Sequence, residues 1–132
     1  MRLFVYGTLR DADLRRIVLA SWQGLAVPAS LRGCSAAQVI GASYPALRSR
    51  AGGCVQGLIL TGVDFPTLAR IGHYESVEYR IALRQPVVYG FGPVDSLIFL
   101  ARRDVALSKR AWQLEAWRRR HKTAALLQTD AW

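Results

Sequence analysis

The sequence predicts an α+β fold in a single domain, residues 1–132, and three observations carry that expectation. Short apolar runs bounded by Gly and Pro outnumber the helical periods, and the connections between them are irregular rather than the regular alternation of a doubly wound sheet. With 132 residues, 52% of them apolar, the chain is long enough to bury roughly two thirds of its unfolded surface in one core.

The elements follow in order. Leu3 to Tyr6 reads as a short buried strand. "DADLRRIVLASW" predicts a helix capped by Asp11 or Asp13, with Leu14, Ile17, Val18 and Trp22 on one face. Residues 25–42 are small and β-branched, with Pro28, Gly33 and Gly41 as breaks, which suggests two short strands. "YPALRSRAGG" reads as a loop, and "CVQGLILTG" as the central strand, where Gly57 marks a bulge or a close backbone approach. "VDFPTLARIGHYE" predicts a helix capped by Asp64 with Pro66 in its first turn. "YRIALRQPVVYG" and "DSLIFLA" are two further strands joined through "GFGP", the first interrupted by Pro86. "DVALSKRAWQLEAWRRRHK" closes the chain as a basic helix at about 104–122, its stripe being Leu107, Ala111, Leu114 and Trp117.

Composition removes several function classes. The two cysteines, Cys34 and Cys54, match no zinc or redox spacing, so neither a metal nor a cofactor is expected. No signal-peptide pattern and no window near the roughly 20 apolar residues of a membrane span is present, so a cytoplasmic setting without membrane contact is expected. The formal charge of +9 is concentrated. Arg102 to Lys122 holds eight Lys/Arg against Asp104 and Glu115, which is +6 of the total. Basic residues suit the last turns of a helix. A solvated face with Trp112 and Trp117 packed inward is therefore favoured over a nucleic-acid surface using them as stacking groups. "GFG" precedes a strand and is no dinucleotide fingerprint. His73 and Glu75 form H-x-E without the P-C-x-x-C of a zinc deaminase.

Four stretches remain: "VYGTLR" (5–10), "YPAL" (44–47), "CVQGLIL" (54–60) and "HYESVEYR" (73–80). A plain turn accounts for Gly7 alone. A glycine loop that turns backbone N–H groups inward, beside the Thr8 hydroxyl, accounts for the whole first stretch as an anion or carbonyl site. Glu75 falls at the negative end of its helix, where a carboxylate is disfavoured.

In this order the stretches resemble the γ-glutamylcyclotransferase-like family. Its members open with a Y-G-(S/T)-L/N loop after strand one, then carry a Y-P-A-like segment, a V-x-G strand and a helix ending in D-x-F/Y-E-G-x-x-Y-x-R. The likeness spans roughly residues 2–100 and leaves the C-terminal helix uncovered. It implies a small mixed β-barrel with flanking helices. It also implies an enzyme of the transferase or lyase class, releasing 5-oxoproline from a γ-glutamyl amine or γ-glutamyl amino acid. By the same resemblance Tyr6, Gly7, Thr8, Leu9 and Tyr79 bind this small-molecule substrate and Glu75 is the catalytic acid/base. Three positions depart from the pattern. Gly72 replaces its Asp, Ser76 the Gly that follows its Glu, and Ile81 its Arg, with Arg80 one residue early and so on the opposite face of a strand. The leaving amine and the oligomeric state stay open. The alternative is a non-catalytic protein of the same fold that binds a small acidic metabolite.

The implied chemistry suits these residue types. The substrate's own α-amine attacks its γ-carbonyl, an intramolecular closure for which effective molarities reach about 10⁵–10⁸ M. The protein must take a proton from the ammonium, return one to the leaving amine, and stabilise an oxyanion. One carboxylate with its pKa lifted by burial performs both transfers.

Overall fold

The computed structural model describes residues 1–75, 79–102 and 105–130. Among them the strands are β1 (Leu3–Val5), β2 (Ala26–Val39), β3 (Pro45–Leu60), β4 (Tyr79–Arg84), β5 (Val87–Val88), β6 (Gly92–Pro93), β7 (Ser96–Ala101) and β8 (Leu107–Ala111). The helices are α1 (Ala12–Val18), α2 (Phe65–Glu75), α3 (Leu114–Arg120) and α4 (Lys122–Asp130). β1 lies mid-sheet, antiparallel to β3 and parallel to β7. It is buried on both faces. Leu3 and Val5 enter one core and Phe4 and Tyr6 the other, as a period of two requires.

The sheet runs β4-β7-β1-β3-β2-β5-β6, with β8 beside β2. Only Gln85 and Pro86 separate β4, at one end of this order, from β5, five places along. Laid flat, that gap would be roughly 24 Å at about 4.8 Å per strand. The chain from Arg84 to Val87 reaches at most about 11 Å. The sheet must therefore curl, and it forms the half-barrel of a mixed α+β fold, as the sequence led us to expect. Leu14, Val18, Ile71 and Trp117 of the helices pack on the Leu3, Val5 and Leu60 face.

Several elements differ from their sequence reading. Residues 25–42 hold one long strand rather than two. Pro28 and Gly33 lie within β2, and Gly33, with φ +83°, sits at a register shift between Arg32 and Cys34. "YPALRSRAGG" is strand, because β3 pairs with β2 from Pro45 onwards. Exposure of Ser49 to Gly52 hides its alternation. α1 stops at Val18, four residues short of Trp22, with Ala20 at φ +50°. The "YRIALRQPVVYG" strand divides at Gln85-Pro86 into β4 and β5, which serve different parts of the sheet.

The largest correction is the basic helix expected at about 104–122. Leu107–Ala111 is a strand, pairing Ala37 with Ala111 and Val39 with Leu107. Two short helices, α3 and α4, follow it. A spacing of four places residues on one face in either geometry, and an open flank of β2 decided for the strand. Asp104, where the predicted helix began, lies outside the described residues. Gly57 is a close approach and not a bulge, since a Cβ there would lie 2.4 Å from the Val5 carbonyl oxygen.

Candidate active site

β1 delivers Tyr6 and Gly7 into a single 3₁₀ turn, Thr8–Arg10. The leading N–H groups of such a turn have no acceptor within it. The turn is held from both ends. Asp11 caps α1 immediately after it, accepting from the N–H groups of Asp13 and Leu14 at 3.1 and 3.0 Å. The Thr8 hydroxyl is hydrogen-bonded to the Tyr74 hydroxyl, which ties the turn to the helix carrying Glu75.

A cavity of about 440 Å³ opens here. Tyr6, Gly7, Thr8 and Leu9 line it together with Tyr44 and Pro45 at the start of β3. His73, Tyr74 and Glu75 reach it from the last turn of α2, and Tyr79 from β4. The four separate sequence stretches thus meet at one place, except that "CVQGLIL" lends only the backing strand. Pro45 crowds Gly7: a Cβ at Gly7 would lie 3.0 and 3.1 Å from the proline Cγ and Cδ, so the proline ring would have to give way. Two tyrosine hydroxyls are committed to backbone. Tyr6 donates to the Phe99 carbonyl and Tyr79 to the Pro45 carbonyl, each at 2.7 Å. Both rings therefore fix walls, and the Tyr44 ring tilts against Tyr79 at a centroid distance of 5.9 Å. Burial, followed by the nearby Glu75 and Cys34, pushes the Tyr6 hydroxyl well above its ordinary pKa and keeps it neutral.

Glu75 is the electrostatic centre of the cavity. Burial pushes its pKa up from 4.5 to about 7. Among the described residues no hydrogen bond or ion pair to its carboxylate offsets that desolvation. Its charge in turn raises the pKa of Tyr74, after the larger effect of burial there. A carboxyl group poised near neutrality can both accept and donate a proton.

Arg10 does not line the cavity, Arg80 is exposed, and Ile81 is 47% exposed on the strand edge. Gly72 meets nothing within 4 Å of a Cβ, so packing does not require glycine there. Ser76 lies outside the described residues. Sequence reasoning missed Phe99, and it missed Ala125, Gln128 and Thr129 of α4, which complete the lining with Trp117. Trp117 was visible as part of an apolar stripe; Thr129 carried no signal. Among the described residues no three His, Cys, Asp or Glu side chains gather to hold a metal ion, and no helix is long and apolar enough to cross a membrane.

An α+β half-barrel with a carboxyl-bearing cavity at the end of its first strand is the class these features define. The sequence matches the family described as "Gamma-glutamyl cyclotransferase, AIG2-like" over residues 3–119, and the chain belongs to that family. The match runs through β8 and almost all of α3, further than the 2–100 read from motifs alone. No curated protein matches the chain. Two Arabidopsis thaliana proteins of known solution structure share the fold. One is 24% identical with a TM-score of 0.70, over 96% of this chain and 86% of its own. The other is 23% identical with a TM-score of 0.69, over 96% and 78%. A structure titled "Gamma-glutamyl cyclotransferase" is 11% identical, with a TM-score of 0.64 over 98% of this chain and 86% of its own.

Proposed function

We propose that the protein is a γ-glutamyl cyclotransferase-type enzyme that releases 5-oxoproline from a γ-glutamyl amine or γ-glutamyl amino acid. The observation that carries this reading is the Glu75 carboxyl facing a cavity walled by the Tyr6–Leu9 loop, where burial pushes its pKa up to about 7. Ionised Glu75 takes a proton from the substrate's α-ammonium. The freed amine attacks the γ-carbonyl, the new C–N bond closes the five-membered ring, and the C–N bond to the leaving amine breaks. Glu75 returns the proton to that amine, and the ring nitrogen, which still carries two hydrogens after the attack, gives its second proton to water, leaving the neutral lactam of 5-oxoproline. The N–H groups that open the 3₁₀ turn serve as donors to the substrate carboxylate or the transient oxyanion, in the role of an oxyanion hole. The substrate brings its own nucleophile, so positioning supplies most of the acceleration.

The test is a panel of γ-glutamyl amines and γ-glutamyl amino acids assayed for 5-oxoproline, with Glu75→Gln in parallel. Wild type should release it, and folded Glu75→Gln should be slower by roughly 10²–10⁴-fold, the usual worth of acid/base catalysis. Silence across the panel, with stabilisation by an acidic metabolite, would assign a binding protein instead.

A further inference from the structure

A second cavity of about 150 Å³ abuts the first, and Ser43 and Trp117 line both. Among the described residues its charged lining is Arg110 and Arg120, both cationic. Arg110 of β8, Arg120 at the end of α3 and His121 just beyond it face this space, and among the described residues no Asp or Glu lines it. The Gln113 amide adds further donors, whereas the Gln38 amide already donates to the Ala42 carbonyl at 3.4 Å. Among the described residues neither Arg110 nor Arg120 forms an ion pair, whereas neighbouring Arg118 pairs with Asp11 and Glu115. The two tryptophans behind the site are fixed: Trp117 is buried in the core and Trp112 donates its indole N–H to the Ser43 carbonyl at 2.9 Å.

Two guanidinium groups lining one concavity, with no ion-pair partner among the described residues, present forked N–H donors that suit an oxyanion. Size limits the ligand. A water's share of liquid is about 30 Å³, so the space takes a few waters or one carboxylate or phosphate group, not a nucleoside. We infer that this second cavity is an oxyanion-binding site for a carboxylate or phosphate group, held by Arg110 and Arg120. The anion comes either free from solution or as the acidic end of a ligand whose other end occupies the first cavity. The second source rests on the function proposed above; the site itself does not.

The experiment has two arms. Inorganic phosphate is titrated calorimetrically into wild type, Glu75→Gln, Arg110→Gln and the Arg110→Gln/Arg120→Gln double variant, at matched ionic strength. Both arginines are exposed, so these substitutions leave the core untouched. Wild type and Glu75→Gln should bind alike and saturably, Arg110→Gln more weakly, and the double variant at least tenfold more weakly. In the second arm, 5-oxoproline release is compared for γ-glutamyl substrates whose leaving amine ends in a carboxylate or in the matching carboxamide. A KM advantage for the carboxylate that the double variant erases assigns the anion to the substrate. Equal KM values, with phosphate still bound, assign it to solution. Wild type and double variant indistinguishable in both arms would overturn the inference. Absence of 5-oxoproline release would instead count against the proposed function, and the phosphate arm would still decide the site.

Discussion

Single residues set the chemistry, and Glu75 is the most informative. Its pKa of about 7 in the folded chain lies above the ordinary 4.5. Below about pH 4 both states are protonated. As pH rises through 4.5 towards 7 the unfolded chain loses its proton first, so stability falls across that window. At 1.36 kcal/mol per pKa unit the loss approaches about 3 kcal/mol by pH 8. Glu75→Gln should therefore match wild type at pH 4 and exceed it at pH 8 in urea denaturation; an unchanged pH dependence would mean the carboxyl is well solvated. The rate of 5-oxoproline release should inflect near pH 7 for the same reason. Gly7 offers a second test. Alanine would push against Pro45, so Gly7→Ala should cost about 1–3 kcal/mol as overpacking does. It should also raise KM, because the displaced turn is the one that lines the cavity. The motif residues were legible because each carries local chemistry. What local chemistry did not show is that the Tyr6 and Tyr79 hydroxyls are already spent on backbone carbonyls.

At the scale of elements, Asp11 joins the first helix to the last two. It is 1% exposed, caps α1, and pairs with Arg118 of α3 at 2.9 Å and Lys122 of α4 at 3.0 Å. Burial works against its charge, but the hydrogen bonds from Arg118, Leu14 and Lys122 hold its pKa below the ordinary value. This contribution is complete above the ordinary carboxylate range and is lost as acid titrates the folded group. Asp11→Ala should be strongly destabilising, because it leaves two cations facing a buried gap and removes the cap. Asp11→Asn keeps a good cap and should be less costly than alanine by about 1 kcal/mol in urea denaturation. Equal losses would mean the cap contributes nothing. The cap itself was legible as one of two acidic candidates. The ion pairs were not, since the partners lie 107 residues or more further along the chain.

At the scale of the whole molecule, the charge of +9 is only partly a free surface. Trp112 and Trp117 are 8% and 2% exposed, so neither offers a face for base stacking, and Arg118 and Lys122 are already paired with acidic groups. Nucleic-acid binding should be weak and steeply salt-dependent, and absent in filter binding near physiological salt; retained binding there would show a dedicated surface. The sequence by itself determined the α+β class, the first strand and its glycine turn, the helix that ends at Glu75, and the family motifs. All of these are written in residues close together along the chain. Tertiary structure alone decided that 107–111 is a strand, that residues 26–60 hold a long two-stranded ribbon, and that α4 completes the cavity. Those outcomes depend on an open strand flank, on the short Gln85-Pro86 link that forces the sheet to curl, and on ion pairs spanning most of the chain. Periodicity within a short window carries none of that information.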